Sequence, residues 1–407
     1  MDDAALTKAL ILTGYRIFPA MAGGQVRTSS IARGLVRAGY QVFIYSLAGR
    51  REDYEFPPTR ARRVDQLEGQ LVEETNLGLG FGLLQAVFRR LEYPRVWQYW
   101  MLRRGLIPRR LREVLPSADV ILSDKVYCPP IPGPWANKPW FLISHEIEHV
   151  LLEQFGRGRR ASTARVRQIE EEAPLLFRDI FAVAEDDQAF FRAHDPSRQR
   201  RVPIVRCSVD AELYAPVEED RRRVRSELGL DDRDRVLVFS GSRFGPNLEA
   251  LDRLKEFVRT EASFLARERL HFLILGSIEA TPSREGAMIV TGRVPQVQPY
   301  LAASDAGLNP VTSGAGSNVK LFEYLAARLP VISTPFGVRG TPLKPDLDFI
   351  PFEPAELKSA LVKFVATGDR AYWCSFARDV LNRHRCSIDI GDAVAAAIRE
   401  AHNFPPP

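Results

Sequence analysis

Two short runs of β-branched and aromatic residues, ALILT (Ala9–Thr13) and QVFIYS (Gln41–Ser46), stand apart by the length of one helix, and that helix is written between them. Val26–Ala38 is apolar at Val26, Ile31, Leu35 and Val36, a helical period, and Gly39 ends it. Strands joined through a helix lie parallel, with a right-handed crossover, and are buried on both faces. That requirement excludes all-α and all-β folds. The alternation returns at Val120–Ser123, Trp140–Ser144, Ile180–Ala184 and Val202–Val205, which read as short buried strands. A polar stretch, Ala215–Asp234, with the charged run EEDRRRVRSELGL, then interrupts it. The pattern restarts with strands at Arg235–Ser240, His271–Leu275, Met288–Thr291, Ala306–Asn309 and Pro330–Ser333, and helices from Asn247, near Val297–Ser304, at Leu321–Arg328 and at Pro354–Thr367. The expected architecture is α/β, with two Rossmann-like doubly wound domains facing across a cleft, residues 1–208 and 209–372. The last helices, Tyr372–Arg383 and Ile390–Ala401, have no strand after them, so residues 373–407 are expected to pack back on the first domain.

At 407 residues the chain is too long for one hydrophobic core, which fits two domains. Hydrophobic residues at 45% and charged residues at 26% are values of a soluble globular protein. No apolar run approaches the roughly 20 residues that span a bilayer. The start, MDDAALTKALILTGY, reads as a first strand and not as a secretory signal. Four cysteines, Cys128, Cys207, Cys374 and Cys386, lie far apart, as ordinary thiols in a reducing cytoplasm do. The 56 basic residues are nearly offset by 51 acidic ones, which disfavours a nucleic-acid partner.

The stretch SGAGSNVKLFEYLAARLPVISTPFGVRG, Ser313 to Gly340, concentrates the chemistry. A nucleoside diphosphate needs backbone N–H donors, small residues that let phosphate approach, and a cation. Gly314, Ala315, Gly316, Ser317 and Asn318 supply the first two, and Lys320 the third. Glu323, three residues on and on the same helix face, can accept hydroxyl hydrogen bonds as a ribose requires. A plain surface Lys–Glu helix pair is the competing reading. Gly241 and Arg243, in GSRFGPN, follow a strand at the end where α/β sheets bind ligands, and a guanidinium there can fork onto phosphate oxygens. Arg293, in VTGRVP, follows another strand and would line a base pocket. In ISHEIEHV, His145 stands at a strand–helix junction; its spacing to His149 would suit zinc on a helix, but a third ligand is missing, so no metal is expected.

GYRIFPAMAGGQVRTSSIARGLVRAGYQV, ISHEIEHVLLEQ, VPIVRCSVDAELYAP, VLVFSGSRFGPNLEAL, LHFLILGS, VTGRVPQVQPYLAASDAGLNP and the stretch from Ser313 together resemble the GT-B glycosyltransferases, and within them retaining family 4. The resemblance implies a nucleotide-sugar bound mainly by the second domain. It also implies roles for Gly23 and Gly24, in the first βα turn, as the double-glycine loop near donor phosphate and acceptor. Arg243 takes the part of the diphosphate-binding arginine, whose usual lysine partner is replaced near Asn247, and His145 lies beside the reacting sugar. Glu323 matches the second glutamate of an E-x7-E pattern whose first falls on Ala315, so the donor sugar is not inherited. Phe88 to Leu115 adds eight arginines interleaved with Trp97, Tyr99, Trp100 and Met101. That segment suits an anionic membrane surface or a polyanionic acceptor, or else a helix pair that packs its aromatics inward.

The expected reaction is transfer of a hexosyl group from a nucleotide diphosphate sugar to a hydroxyl acceptor, a sugar, glycolipid or small molecule, with retention as the resemblance implies. His145, Arg243 and Lys320 are the expected catalytic residues. The departing diphosphate then deprotonates the acceptor, and no cofactor or metal is needed. A nucleotide-sugar epimerase or hydrolase of the same fold, or a catalytically silent binding subunit, remains open.

Overall fold

The computed structural model describes residues 6–20, 23–47, 62–67, 69–75, 96–155, 160–206, 209–314, 317–384 and 390–402. The chain forms two compact units, Met1–Arg206 with Asp389–Pro407, and Cys207–Ile388.

The first unit holds β1 (Thr7–Thr13), β2 (Tyr40–Ser46), β3 (Arg62–Gln66), β4 (Leu71–Thr75), β5 (Val120–Asp124), β6 (Trp140–Ile143) and β7 (Asp179–Phe181). They make one sheet in the order β3-β4-β2-β1-β5-β6-β7, parallel except where β3 meets β4. The second unit holds β8 (Arg235–Ser240), β9 (Leu270–Leu275), β10 (Ser283–Glu285), β11 (Met288–Gly292), β12 (Ala306–Asn309), β13 (Val331–Ser333) and β14 (Ile350–Pro351). Its order, β10-β11-β9-β8-β12-β13-β14, repeats the first, again with one antiparallel edge pair. Without the added edge strand each sheet has the doubly wound order, which reverses direction beside β1 and β5 in one unit and beside β8 and β12 in the other.

Continuous apolar runs form the central strands because helices cover both faces. Leu10 and Leu12 of β1 point into one core cluster, with Ile121 and Leu142; Ala9 and Ile11 point into the opposite one, with Leu122 and Phe141. Each fully buried side chain of this size contributes about 1.5–3 kcal/mol. The helix Gly23–Arg37 covers the second face with Ile31 and Leu35, and Ile390–His402 adds Val394 and Ile398. Those two helices touch backbone to backbone: a Cβ on Gly34 would lie 2.2 Å from Gly391 Cα.

Several sequence expectations need correction. Only Ile390–His402 joins the first unit; the helix Arg370–Arg383 stays with the second, because Trp373 is buried in that unit's core and donates from Nε1 to Phe364 O at 3.0 Å. Val202–Val205 is not a strand. Pro203 has no N–H to donate, and only the isolated bridges Asp179 to Arg201 and Ala182 to Ile204 form there. Gly23 and Gly24 are not in the βα turn but are the first two residues of the helix, whose first-turn N–H groups need no helical partner. The helix expected to reach Arg328 stops at Ala326, with Arg328 left-handed at φ 58°.

Candidate functional site

In the second unit the loops after β8 and β12 meet the helix Lys320–Ala326. Gly307 on β12 lets that helix sit close, since a Cβ there would lie 2.1 Å from Tyr324 Cδ2. Tyr324, fully buried, accepts from Ser240 N at 3.0 Å and so ties the helix to the end of β8. Lys320 thereby faces the loop that starts at Gly241. Its Nζ donates to Asn247 Oδ1 at 3.1 Å and stands 4.6 Å above the Phe239 ring. Asn247 is itself fixed by its Nδ2 donating to Ser242 O at 3.0 Å, and a Cβ on Gly241 would press on it at 3.1 Å.

Lys320 and Glu323 do not form a surface ion pair. Glu323 Oε1 accepts from the hydroxyl of buried Tyr214 at 2.9 Å. One carboxylate oxygen is thus committed to protein, where the sequence suggested both were free for a ribose. Burial lowers the Lys320 ammonium to about 7, Glu323 opposing the shift and Arg339 adding to it. Burial likewise raises the Glu323 carboxyl, against the Tyr214 hydrogen bond and Lys320. Arg339 also borders the small-residue loop: a Cβ on Gly314, whose φ is +128°, would lie 3.2 Å from its Nη2. Asn318 Nδ2 donates to Gly337 O at 2.8 Å, and the buried Ser317 Oγ has no partner among the described residues. Ala315 and Gly316 lie outside the described residues. Arg243 and Arg293 are exposed on loops after β8 and β11.

In the first unit the carboxyl ends of β1, β5 and β6 meet. Asp124, ending β5 and 1% exposed, lies 2.6 Å from His145 Nε2 and accepts from Thr28 Oγ1 at 2.8 Å and Thr13 Oγ1 at 2.9 Å. Burial alone would raise its carboxyl; the His145 ring and the threonine of the helix outweigh burial and hold it well below the usual range. Gly24 sits beside His145, for a Cβ there would be 3.6 Å from Nδ1. The neighbouring residues are heavily charged. Lys125 pairs with Glu146 at 2.5 Å and with Glu148, and although burial opposes it, Lys125 lowers the Glu146 carboxyl to about 2. Asp187 is pushed up to about 7 by burial and then by Glu146, against Arg27. His149 does not join His145: its Nδ1 lies 2.6 Å from Glu170 Oε2, while Glu170 also accepts from the backbone of Glu148 and His149. Among the described residues no group of three His, Cys, Asp or Glu side chains is placed to hold a metal.

Of the basic aromatic segment, 88–95 lie outside the described residues. Trp97 and Tyr99 are core residues, and Tyr99 donates to Glu172 Oε2 at 3.1 Å. Trp100, at 38% exposed, lies under the Arg104 guanidinium, and Leu106 is 56% exposed. No helix among the described residues is long and apolar enough to cross a membrane.

Asp124, Thr13, Thr28, Tyr214 and Arg339 were absent from the expected site, and Asn247 entered it only as the replacement of a lysine. Only Asp124 carried a usable signal, as a carboxylate directly after the apolar run VILS, at the ligand-binding end of a strand.

No curated protein matches the chain in sequence. Among similar solved structures, a UDP-forming α,α-trehalose-phosphate synthase from Burkholderia xenovorans, in complex with glucose-6-phosphate, has TM-score 0.67 at 13% identity, over 98% of this chain and 100% of its own. Anabaena Alr3699/HepE, in complex with UDP and glucose, has TM-score 0.63 at 15% identity, over 97% and 100%. WaaG, a glycosyltransferase involved in lipopolysaccharide biosynthesis, has TM-score 0.61 at 17% identity, over 96% and 99%. Residues 234–366, which include β8 to β14 and the helix of Lys320 and Glu323, match the model of the glycosyl transferases group 1. The chain has the GT-B fold, and residues 234–366 of its second unit are similar to the glycosyl transferases group 1.

Proposed function

We propose that this protein transfers a hexosyl group from a nucleoside diphosphate sugar to a hydroxyl acceptor. The observation that carries the reading is Lys320, a half-buried ammonium that contacts a neutral amide and an aromatic face, with Arg339 adding to the local positive potential and Glu323 offsetting it only in part. A site arranged so favours an anion. Lys320 and the exposed Arg243 hold the diphosphate and stabilise its charge as the bond to the sugar breaks. Gly241, Gly314, Ala315, Gly316, Ser317 and Asn318 let the phosphates approach the backbone. Glu323, with one oxygen held by Tyr214, takes a ribose hydroxyl on the other. Arg293 lines the base pocket. Gly23, Gly24 and His145 serve the reacting sugar. The leaving diphosphate removes the acceptor proton, with retention of configuration and without a metal or cofactor.

The acceptor belongs to cell-surface polysaccharide or glycolipid assembly at the cytoplasmic membrane face. Support comes from Trp100 and Leu106, exposed in one stretch with Arg103, Arg104, Arg109 and Arg112. Sedimentation with phosphatidylglycerol vesicles, lost in Trp100→Ala/Arg104→Ala, checks that part. The central test is a thermal-shift panel of uridine, guanosine, adenosine and thymidine diphosphates, followed by product analysis with the matching sugar donor. At a ligand concentration of roughly 100 Kd the stabilisation is about 2.7 kcal/mol. If none of the four raises Tm, the reading fails.

A further inference from the structure

We propose that Asp124 is a positioning residue, which keeps the His145 ring protonated on Nε2 and thereby presents Nδ1 as the nitrogen that a substrate hydroxyl meets beside Gly24. The inference rests on the placement of His145 at the reacting sugar, and extends it from a residue to an atom.

Four elements converge to make the arrangement: Thr13 ends β1, Thr28 lies in the helix Gly23–Arg37, Asp124 ends β5 and His145 follows β6. Each side chain is buried. Thr28 Oγ1 donates to Asp124 Oδ1 at 2.8 Å and Thr13 Oγ1 to Oδ2 at 2.9 Å, so the carboxylate acts as an acceptor on both oxygens. Its third neighbour, His145 Nε2 at 2.6 Å from Oδ1, must then supply the proton of that contact. In the neutral ring Nδ1 is left with a lone pair, and it has no partner among the described residues. Gly24 borders that edge together with the Tyr15 hydroxyl: a methyl on Gly24 would lie 3.6 Å from Nδ1, 3.7 Å from Cε1 and 3.1 Å from Tyr15 Oη. A larger residue would occupy the approach.

A buried carboxylate is costly unless it is hydrogen-bonded, and a merely structural one would need no histidine. Here its shortest contact is to the ring. The arrangement therefore fixes both the rotation and the tautomer of His145, as a second group commonly does for an imidazole.

The test is a long-range proton–nitrogen NMR spectrum of the full chain labelled at histidine nitrogen, titrated from about pH 6 to 9, with His145 assigned by its loss in His145→Gln. The neutral ring is expected to show a single Nε2–H pattern. Asp124→Asn, close to isosteric, is expected to introduce the Nδ1–H form and to slow turnover of the sugar donor selected by the diphosphate panel on the order of 10²-fold, with affinity for the matching nucleoside diphosphate changed less than about 2-fold. Thr28→Val keeps the carboxylate and should keep the Nε2–H pattern. An Nδ1–H pattern in the wild-type chain overturns the proposal even if no variant folds, and so does an unchanged Nε2–H pattern in Asp124→Asn. A shifted pattern with unchanged turnover of that donor overturns instead the placement of His145 at the reacting sugar.

Discussion

With Lys320 at the diphosphate, as proposed, donor binding is expected to take up a proton. In the free protein its ammonium titrates near 7, where an exposed lysine would titrate at 10.5, because burial strips its water and Arg339 adds repulsion that Glu323 only partly offsets. A phosphate charge about 4 Å away is worth about 4 kcal/mol at an effective dielectric near 20, or about three pKa units, which returns the group to its ordinary range. The complex is then protonated where the free protein is not. Above about 7 the affinity for a nucleoside diphosphate must fall close to tenfold per pH unit, or about 50-fold from about pH 7 to 9, while the phosphate, with its second ionisation near 6, contributes little. The same depression acts on folding with a definite sign: the stability contribution is present above 10.5 and is lost as pH falls through about 7. Calorimetry with UDP at about pH 8.5, in buffers of different ionisation enthalpy, counts the proton directly. Lys320→Arg, permanently charged, should bind with a flat pH profile, and Lys320→Ala should bind weakly and flatly. A wild-type profile without slope above about pH 7, or an equal slope in Lys320→Ala, refutes the reasoning.

Gly307→Ala places a methyl 2.1 Å from Tyr324 Cδ2, so the helix carrying Lys320 must move; a loss of about 1–3 kcal/mol in urea unfolding is expected, together with weaker UDP binding. Gly24→Ala should separate stability from activity. Alanine favours the helix by about 0.5–1 kcal/mol, yet its methyl crowds Tyr15 Oη at 3.1 Å and the Nδ1 edge of His145, so Tm should hold or rise while turnover of the sugar donor selected by the diphosphate panel drops. Asp187, 6% exposed, has a folded value near 7 against an ordinary 3.8, so its contribution to stability is present only below 3.8 and is lost as pH rises through about 7. Asp187→Asn should therefore be more stable than the parent by up to about 4 kcal/mol near pH 8, and by less than about 1 near pH 4, as read from unfolding curves at the two pH values.

The parallel sheets were legible in the sequence because strands buried on both faces have to be continuously apolar. RVLVFS and AGLN appear as β8 and β12 at the boundaries their composition suggests. What escaped is strand that breaks this rule. β4, LVEET, carries two glutamates, and Glu73 is buried because it accepts from Ile17 N at 2.6 Å and Ser46 Oγ at 2.7 Å. Polarity that is satisfied by distant backbone reads as loop when only neighbours in sequence are considered. The last two helices look alike on paper, but Trp373 decides the partner of one and the Gly34–Gly391 contact the partner of the other. Neither is a local property.

The site was legible for the same reason and to the same depth. Residues that follow strands were identifiable, but the groups that set their charge were not. At the switch point of the first unit the buried charge is already matched, since Asp124 has a ring and two hydroxyls for its oxygens. At that of the second unit the carboxylate is bonded to Tyr214, and the ammonium contacts Asn247 and the Phe239 ring, with Glu323 offsetting its burial only in part. A fold that leaves an ammonium partly discharged, with a second cation near by, is more stable when an anion is present. That difference is the basis for proposing that the second unit takes the phosphates and the first the hydroxyl groups.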